Sequence, residues 1–149
     1  MSIFSSLEVS GSALSAERQR AEVVAANMAN AETTHTPEGG PYRRKQVVFS
    51  SAPTNPFRMM LVNSGGGESA GANTSAVRIT KVVEDSTPAI MRYEPGNPDA
   101  NTEGYVAYPN INPVQEMADL MDSVRAYQLN ASAISASKQI ITGAIDILK

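Results

Sequence analysis

The hydrophobic positions fall into two long stripes at the ends of the chain. Near the start, Phe4, Leu7, Gly11, Leu14, Arg18, Ala21, Ala25 and Met28 recur alternately three and four residues apart, and Ile3 and Val24 widen the stripe. That spacing predicts an amphipathic helix over about the first 30 residues. Thr33, Thr34, Pro37, Gly39 and Gly40 then end it, because β-branched and helix-breaking residues follow one another within two turns. Ser5 with Glu8 fits a capping box, although the sequence marks this start poorly.

The second stripe is longer. Leu120, Val124, Tyr127, Ala131, Ile134, Lys138, Ile141, Ile145 and Leu148 keep the alternation through nearly four heptads. Asn112 is a good N-cap, Pro113 suits the first helical position, Gln115 completes a capping box, and Glu116 and Asp119 sit near the positive end of the dipole. A helix over 113–148 is about 54 Å long, more than a small domain can cover.

Between the stripes, residues 42–49, 57–62, 76–83 and 89–93 are short apolar runs bounded by Pro, Gly, Asn and Ser, which predicts a small β module. Residues 63–74 read as a Gly-rich flexible loop, and 93–112 as an extended segment too rich in Pro, Gly and Asn for regular structure. The predicted architecture is α+β: an N-terminal helix (1–32), a β-rich middle (33–112) and a C-terminal helix (113–149), with the helices forming a coiled-coil-like pair.

Composition narrows the function. The 149 residues are 42% apolar but only 5% aromatic, with no Trp, so the core must be thin. A net charge of -3 gives no footprint for nucleic acid, and no apolar run reaches the roughly 20 residues that span a bilayer. The N-terminal stretch has neither a basic n-region nor an apolar h-region, so export, if it occurs, is expected without a cleaved Sec-type signal. The lack of Cys removes disulfides, thiolate ligands and a thiol nucleophile.

Candidate chemistry is weak throughout. Asn97, Asp99, Asn101 and Glu103 alternate like half a calcium loop, but the sixth position is Thr102 rather than Gly and the twelfth is Tyr108 rather than Glu, which favours an Asx-rich turn. Gly65 to Gly67 lack the Lys-Ser/Thr of a phosphate loop. His35 has no nucleophile to serve, Arg43, Arg44 and Lys45 read as a wet strand edge, and Glu84 with Asp85 has no matching second carboxylate pair. No catalytic, cofactor-binding or metal-binding residues are assigned, and no enzyme activity is expected. On periodicity alone the two stripes fit either an intramolecular helical hairpin, as in a soluble secreted binding module, or helices that meet neighbours. Arg18, Lys138 and the small residues of NASAISAS (130–137) favour additional partners.

Two blocks carry a family resemblance. ANMANAETTHTPEGGPYRRKQVVF (26–49) resembles the N-terminal block of bacterial flagellar rod and hook proteins, a helix ending in an Asn-rich turn, here Asn27, Asn30, Thr33 and Thr34, followed by Pro37, Gly39 and Gly40. YEPGNPDANTEGYVAYPNINPVQEMADLMDSVRAYQLNASAISASKQ (93–139) is similar to the C-terminal block of the proximal-rod branch, with Tyr105, Pro109, Asn110 and Asn112 leading into the helix. Gln128, where many relatives carry Glu, is a mild departure. The resemblance implies a structural subunit of the basal-body rod, exported through the flagellar type III apparatus and assembled in the periplasm to support motility. Its implied partners are copies of itself, other rod proteins, the membrane (MS) ring and export-gate components. It further implies that the terminal helices pack into a torque-transmitting tube around the export channel. The interface expected from the stripes comprises Leu7, Leu14, Ala21, Val24, Met28, Leu120, Val124, Tyr127, Ala131, Ile134, Ile141, Ile145 and Leu148.

Overall fold

A computed structural model describes residues 3–53 and 75–147. The expected 57–62 strand, the 63–74 loop and Leu148 lie outside these residues. The elements run α1 (Ile3–Ala29), β1 (Lys45–Pro53), β2 (Ser75–Glu84), β3 (Ile90–Tyr93), β4 (Tyr105–Tyr108) and α2 (Pro113–Ile147). The fold is α+β, as the patterning predicts.

The chain divides into two compact units. One gathers Met1–Arg18, Phe49–Thr80 and Val124–Lys149, the other Gln19–Val48 and Lys81–Ser123. In the first, the Val77 amide donates to Ser12 Oγ (3.0 Å) and the Ser12 hydroxyl donates to the Val9 carbonyl (2.7 Å), so a helical serine links α1 to β2. Thr80 Oγ1 donates to Ser50 Oγ (2.5 Å) across the β1–β2 sheet. In the second unit the last turns of α1 and the first turns of α2 lie side by side, running antiparallel: Arg20 pairs with Asp119, and Asn27 with Glu116.

The α1 stop follows from its sequence. Asn30 Nδ2 donates to the Ala26 carbonyl (2.8 Å), which also accepts from the Asn30 amide (3.1 Å). Thr33 donates to Asn30 twice, from its hydroxyl to Oδ1 (3.1 Å) and from its amide to the carbonyl (3.1 Å), so the side chains reinforce the turn that ends the helix. Gly39 and Gly40, at φ 90° and 79°, then reverse the chain, and the Tyr42 amide returns to the Thr33 carbonyl (3.0 Å). At the other end helix is already present at Ile3, so Ser5 lies inside α1 and does not cap it. The α2 start is as expected: Asn112 Oδ1 accepts from the Val114 amide at 3.0 Å.

One expectation about the middle is corrected. Residues 93–112 contain β4, which pairs antiparallel with β3 in the register Ile90–Tyr108, Met91–Ala107, Arg92–Val106 and Tyr93–Tyr105. The Asn and Gly content that argued against structure lies outside the strand, with Gly96, Asn97, Asn101 and Gly104 in the connecting loop and Asn110 and Asn112 between β4 and α2. In the connecting loop the Asp99 amide donates to Asn97 Oδ1, and the Glu103 and Tyr105 amides donate to Asn101 Oδ1, giving Asx turns in place of a cation loop. Gly104 is required at φ 82°, because a Cβ there would stand 2.9 Å from the Tyr93 ring. The core is thin: the buried apolar side chains among the described residues are Ala16, Val24, Val106, Pro109 and Ile111.

Candidate functional site

The largest fully buried side chains include three polar ones, Asn27, Glu116 and Ser123. Two of them anchor a cluster that joins α1, β1 and α2 within the second unit. Asn27 comes from the last turns of α1, at 1% exposure. Its Nδ2 donates to the Lys45 carbonyl (2.8 Å) and to Glu116 Oε2 (2.9 Å). Its Oδ1 accepts from the Lys45 amide (2.9 Å) and the Tyr42 hydroxyl (3.2 Å). Both donors and both acceptor sites of the carboxamide are therefore filled, the condition for burying such a group without a desolvation penalty.

Glu116 lies on the first turn of α2 and is equally buried. Its other oxygen, Oε1, accepts from Arg44 Nε at 2.6 Å, a charge-assisted bond. Arg44 also reaches Asp119 Oδ2 (3.4 Å), and Arg20 reaches Asp119 Oδ1 (3.6 Å), which carries the network to the half-exposed rim. Tyr42 is held above its usual hydroxyl pKa by burial first, then by the negative charges of Glu84 and Glu116. Lys45 closes the group, with its ammonium 5.7 Å from the Tyr42 ring centroid.

A smaller cluster braces the hairpin. Glu94 Oε2 accepts from Asn97 Nδ2 (3.1 Å) and the Tyr108 hydroxyl (2.9 Å), which hold its carboxyl below the ordinary range, and the same bond to Glu94 lifts the Tyr108 hydroxyl above its own. Thr34 Oγ1 donates to Asp99 Oδ2 (2.6 Å), so the turn after α1 meets the hairpin loop. Beside them, a groove of about 250 Å³ is lined by Pro41, Tyr42, Arg43, Thr87, Pro88 and Pro109, among others. Within the buried cluster the polar atoms saturate one another. Its chemistry is that of holding three chain segments together.

The family-motif residues converge here. Asn27 is the hub, Asn30, Thr33 and Thr34 shape the turn, and Gly39 and Gly40 reverse it; Pro109 is buried against the second unit's core and Asn112 caps α2. Pro37, Tyr105 and Asn110 are exposed, Tyr105 at 5.3 Å from Tyr93 in an edge-to-face ring pair. The residues expected at an interface are scattered in burial. Val24 is buried; Leu7, Leu14, Ala21, Met28, Leu120, Ala131, Ile134 and Ile141 are half-buried; Val124, Tyr127 and Ile145 are exposed. Sequence reasoning missed Glu116 and Arg44 as partners, taking the first as a dipole contact and the second as a wet strand edge. No local signal pointed to the pair, because the two residues stand 72 positions apart and Glu116 shares its helix face with Asn112, Asp119 and Ser123.

Comparison with known proteins agrees with this layout. Residues 7–34 match a family model described as flagella basal body rod protein, and residues 102–147 match the flagellar basal body rod FlgEFG protein C-terminal model. Along its full length the chain is 40% identical to the flagellar basal-body rod protein FlgC of Bacillus subtilis, covering 100% of both chains. It is 35% identical to FlgC of Borreliella burgdorferi over 100% of this chain and 99% of the relative. With FlgC of Escherichia coli O6:H1 the identity is 38% over 95% and 94%. With matches at both ends and relatives aligned from end to end, the chain belongs to the FlgC family of flagellar basal-body rod proteins.

Proposed function

We propose that this chain is a structural subunit of the flagellar rod, without enzymatic activity, whose terminal helices complete their packing against copies of itself and other rod proteins. The observation that carries this reading is the apolar surface left open on α2: Val114 is 76% exposed, Leu129 71%, Ile140 60% and Ile145 53%. A 35-residue helix that exposes such residues along its length is stabilised when neighbours cover them. Head-to-tail contacts of this kind build an open helical assembly, a tube that transmits torque and surrounds the export channel. The rod's periplasmic part, next to the MS ring and export gate, is then the place of assembly, reached through the flagellar type III apparatus without signal cleavage.

Replacing Ile145 with Asp tests this. The position is more than half exposed, so the single chain should fold normally, whereas a charge on a covered face is costly. The expected outcome is a secreted subunit and a non-motile cell. A motile mutant would remove this face from the interface. A purified chain that stays a cooperative monomer at high concentration, with fully protected helix ends, would favour a self-contained binding module instead.

A further inference from the structure

From the buried cluster we infer that Asn27, Glu116 and Arg44 select the register in which α1 and α2 pair. The inference goes beyond the assembly reading, since it concerns the fold of one chain.

The apolar stripes alone specify register poorly. The buried and half-buried positions of the last turns of α1 (Ala21, Val24, Met28) and the first turns of α2 (Leu120, Ser123) recur every three to four residues with modest side chains, and none is a large aromatic that could fix an alignment by shape. Sliding one helix by such a step exchanges one set of modest contacts for another. A buried polar position behaves differently, because it is satisfied in one alignment only.

Here that alignment is over-determined. Asn27 Nδ2 must meet Glu116 Oε2 at 2.9 Å while the same amide bridges both backbone groups of Lys45. Glu116 must meanwhile present Oε1 to Arg44 Nε at 2.6 Å. A slip of three or four residues moves Glu116 about 5 Å along the axis. It would leave a carboxylate of 1% exposure without Asn27 and Arg44, and Asn27 without its carboxylate acceptor. The slipped states are excluded by unpaired buried groups, and the native one is retained because every group in it is paired. Asp119, shared by Arg20 and Arg44, adds a second tie in the same alignment.

The test uses the full chain, which has no Cys. Spin labels on Gln19→Cys and Gln115→Cys, exposed positions well separated along the axis of the antiparallel pair, report its alignment as an electron-electron distance distribution. With the cluster intact, one narrow distance is expected. The triple variant Asn27→Leu, Arg44→Met, Glu116→Met replaces the polar groups by apolar ones of similar size, a change that often preserves folding. It should show a second, separate distance whose displacement from the first grows with the axial slip of about 5 Å per helical step. Asn27→Ala, which keeps the Arg44–Glu116 pair, should show the same second distance at lower population. A folded triple variant with a single unshifted distance overturns the inference. So does loss of folding in both variants with no second register, which would reduce the cluster to a stability role.

Discussion

The two ends of α2 are the same helix under different rules. Its first turns are tied to other parts of the chain by specific polar bonds: Asn112 caps, Glu116 takes Asn27 and Arg44, and Asp119 takes Arg20 and Arg44. Further along, the hydrogen bonds of Asn130, Ser132, Ser135 and Thr142 go to the helix's own carbonyls four residues back, at 2.9 to 3.1 Å. Those bonds satisfy polar side chains without choosing a neighbour, and the interleaved Leu129, Ile140 and Ile145 stay exposed. Both regions expose apolar side chains, Val114 and Met117 in the first as well as Leu129 and Ile140 in the second; what differs is that the polar groups of the first choose partners elsewhere in the chain and those of the second do not. On the proposed assembly reading, the first part gives the subunit its shape and the second is the part that neighbours cover.

The strongest way to break this contrast is to truncate one residue in each region. Glu116→Ala removes a buried carboxylate, strands one donor of the Asn27 amide and leaves Arg44 with Asp119 alone, which should cost about 3 kcal/mol of monomer stability. Ile140→Ala, at a position 60% exposed, should cost no more than about 0.5 kcal/mol in the same urea titration. Equal losses would mean that the far part of α2 is packed as firmly as its start. A Glu116→Ala loss near zero would show that water replaces the cluster.

What the sequence made legible follows the same division. Helix positions came from local periodicity, and the Asn112 cap from local chemistry, because both depend on residues within a few positions of one another. The Asn27–Glu116 bond spans 89 positions, and Arg44–Glu116 spans 72, so no local pattern points to either. Arg44 looked like a solvated strand edge because its partner arrives on another helix. The β4 strand was hidden for a related reason. Tyr105 to Tyr108 is a good strand by residue type, but the Asn, Pro and Gly of its loop dominated the composition of the segment. Residues 26–49 and 93–139 were nevertheless recognisable as family blocks, and the structure brings them together at Thr34–Asp99 as well as at Asn27–Glu116.

A smaller effect sharpens how the committed end of α2 is held. Asn112→Ala removes the acceptor of the Val114 amide, and loss of an N-cap costs about 1 kcal/mol. Because the cap sits one turn before Glu116, the loss should be read not only in global stability but in faster amide exchange of residues 114–117. Exchange at 130–142 should stay unchanged. Spread of the effect to those later turns would mean that α2 unfolds as one unit and that its two ends are not independent.

The subtlest test compares the buried cluster with its half-buried counterpart on the hairpin. In both, a glutamate accepts an Asn side-chain amide: Glu116 from Asn27, Glu94 from Asn97. Glu94 also accepts from the Tyr108 hydroxyl, and its two donors, Asn97 first and Tyr108 second, hold its pKa below the ordinary glutamate value. A depressed folded-state pKa means that these bonds stabilise the hairpin above the unfolded-state value and lose that contribution as pH falls through the folded one. Tyr108→Phe removes one donor, so the Glu94 carboxyl should titrate at higher pH, seen by carbon-detected NMR. Acid loosening of the β3–β4 pairing should begin correspondingly earlier. If the titration does not move, the Tyr108 bond is made no better than bonds to water, and burial would then account for the firmness of the Glu116 cluster.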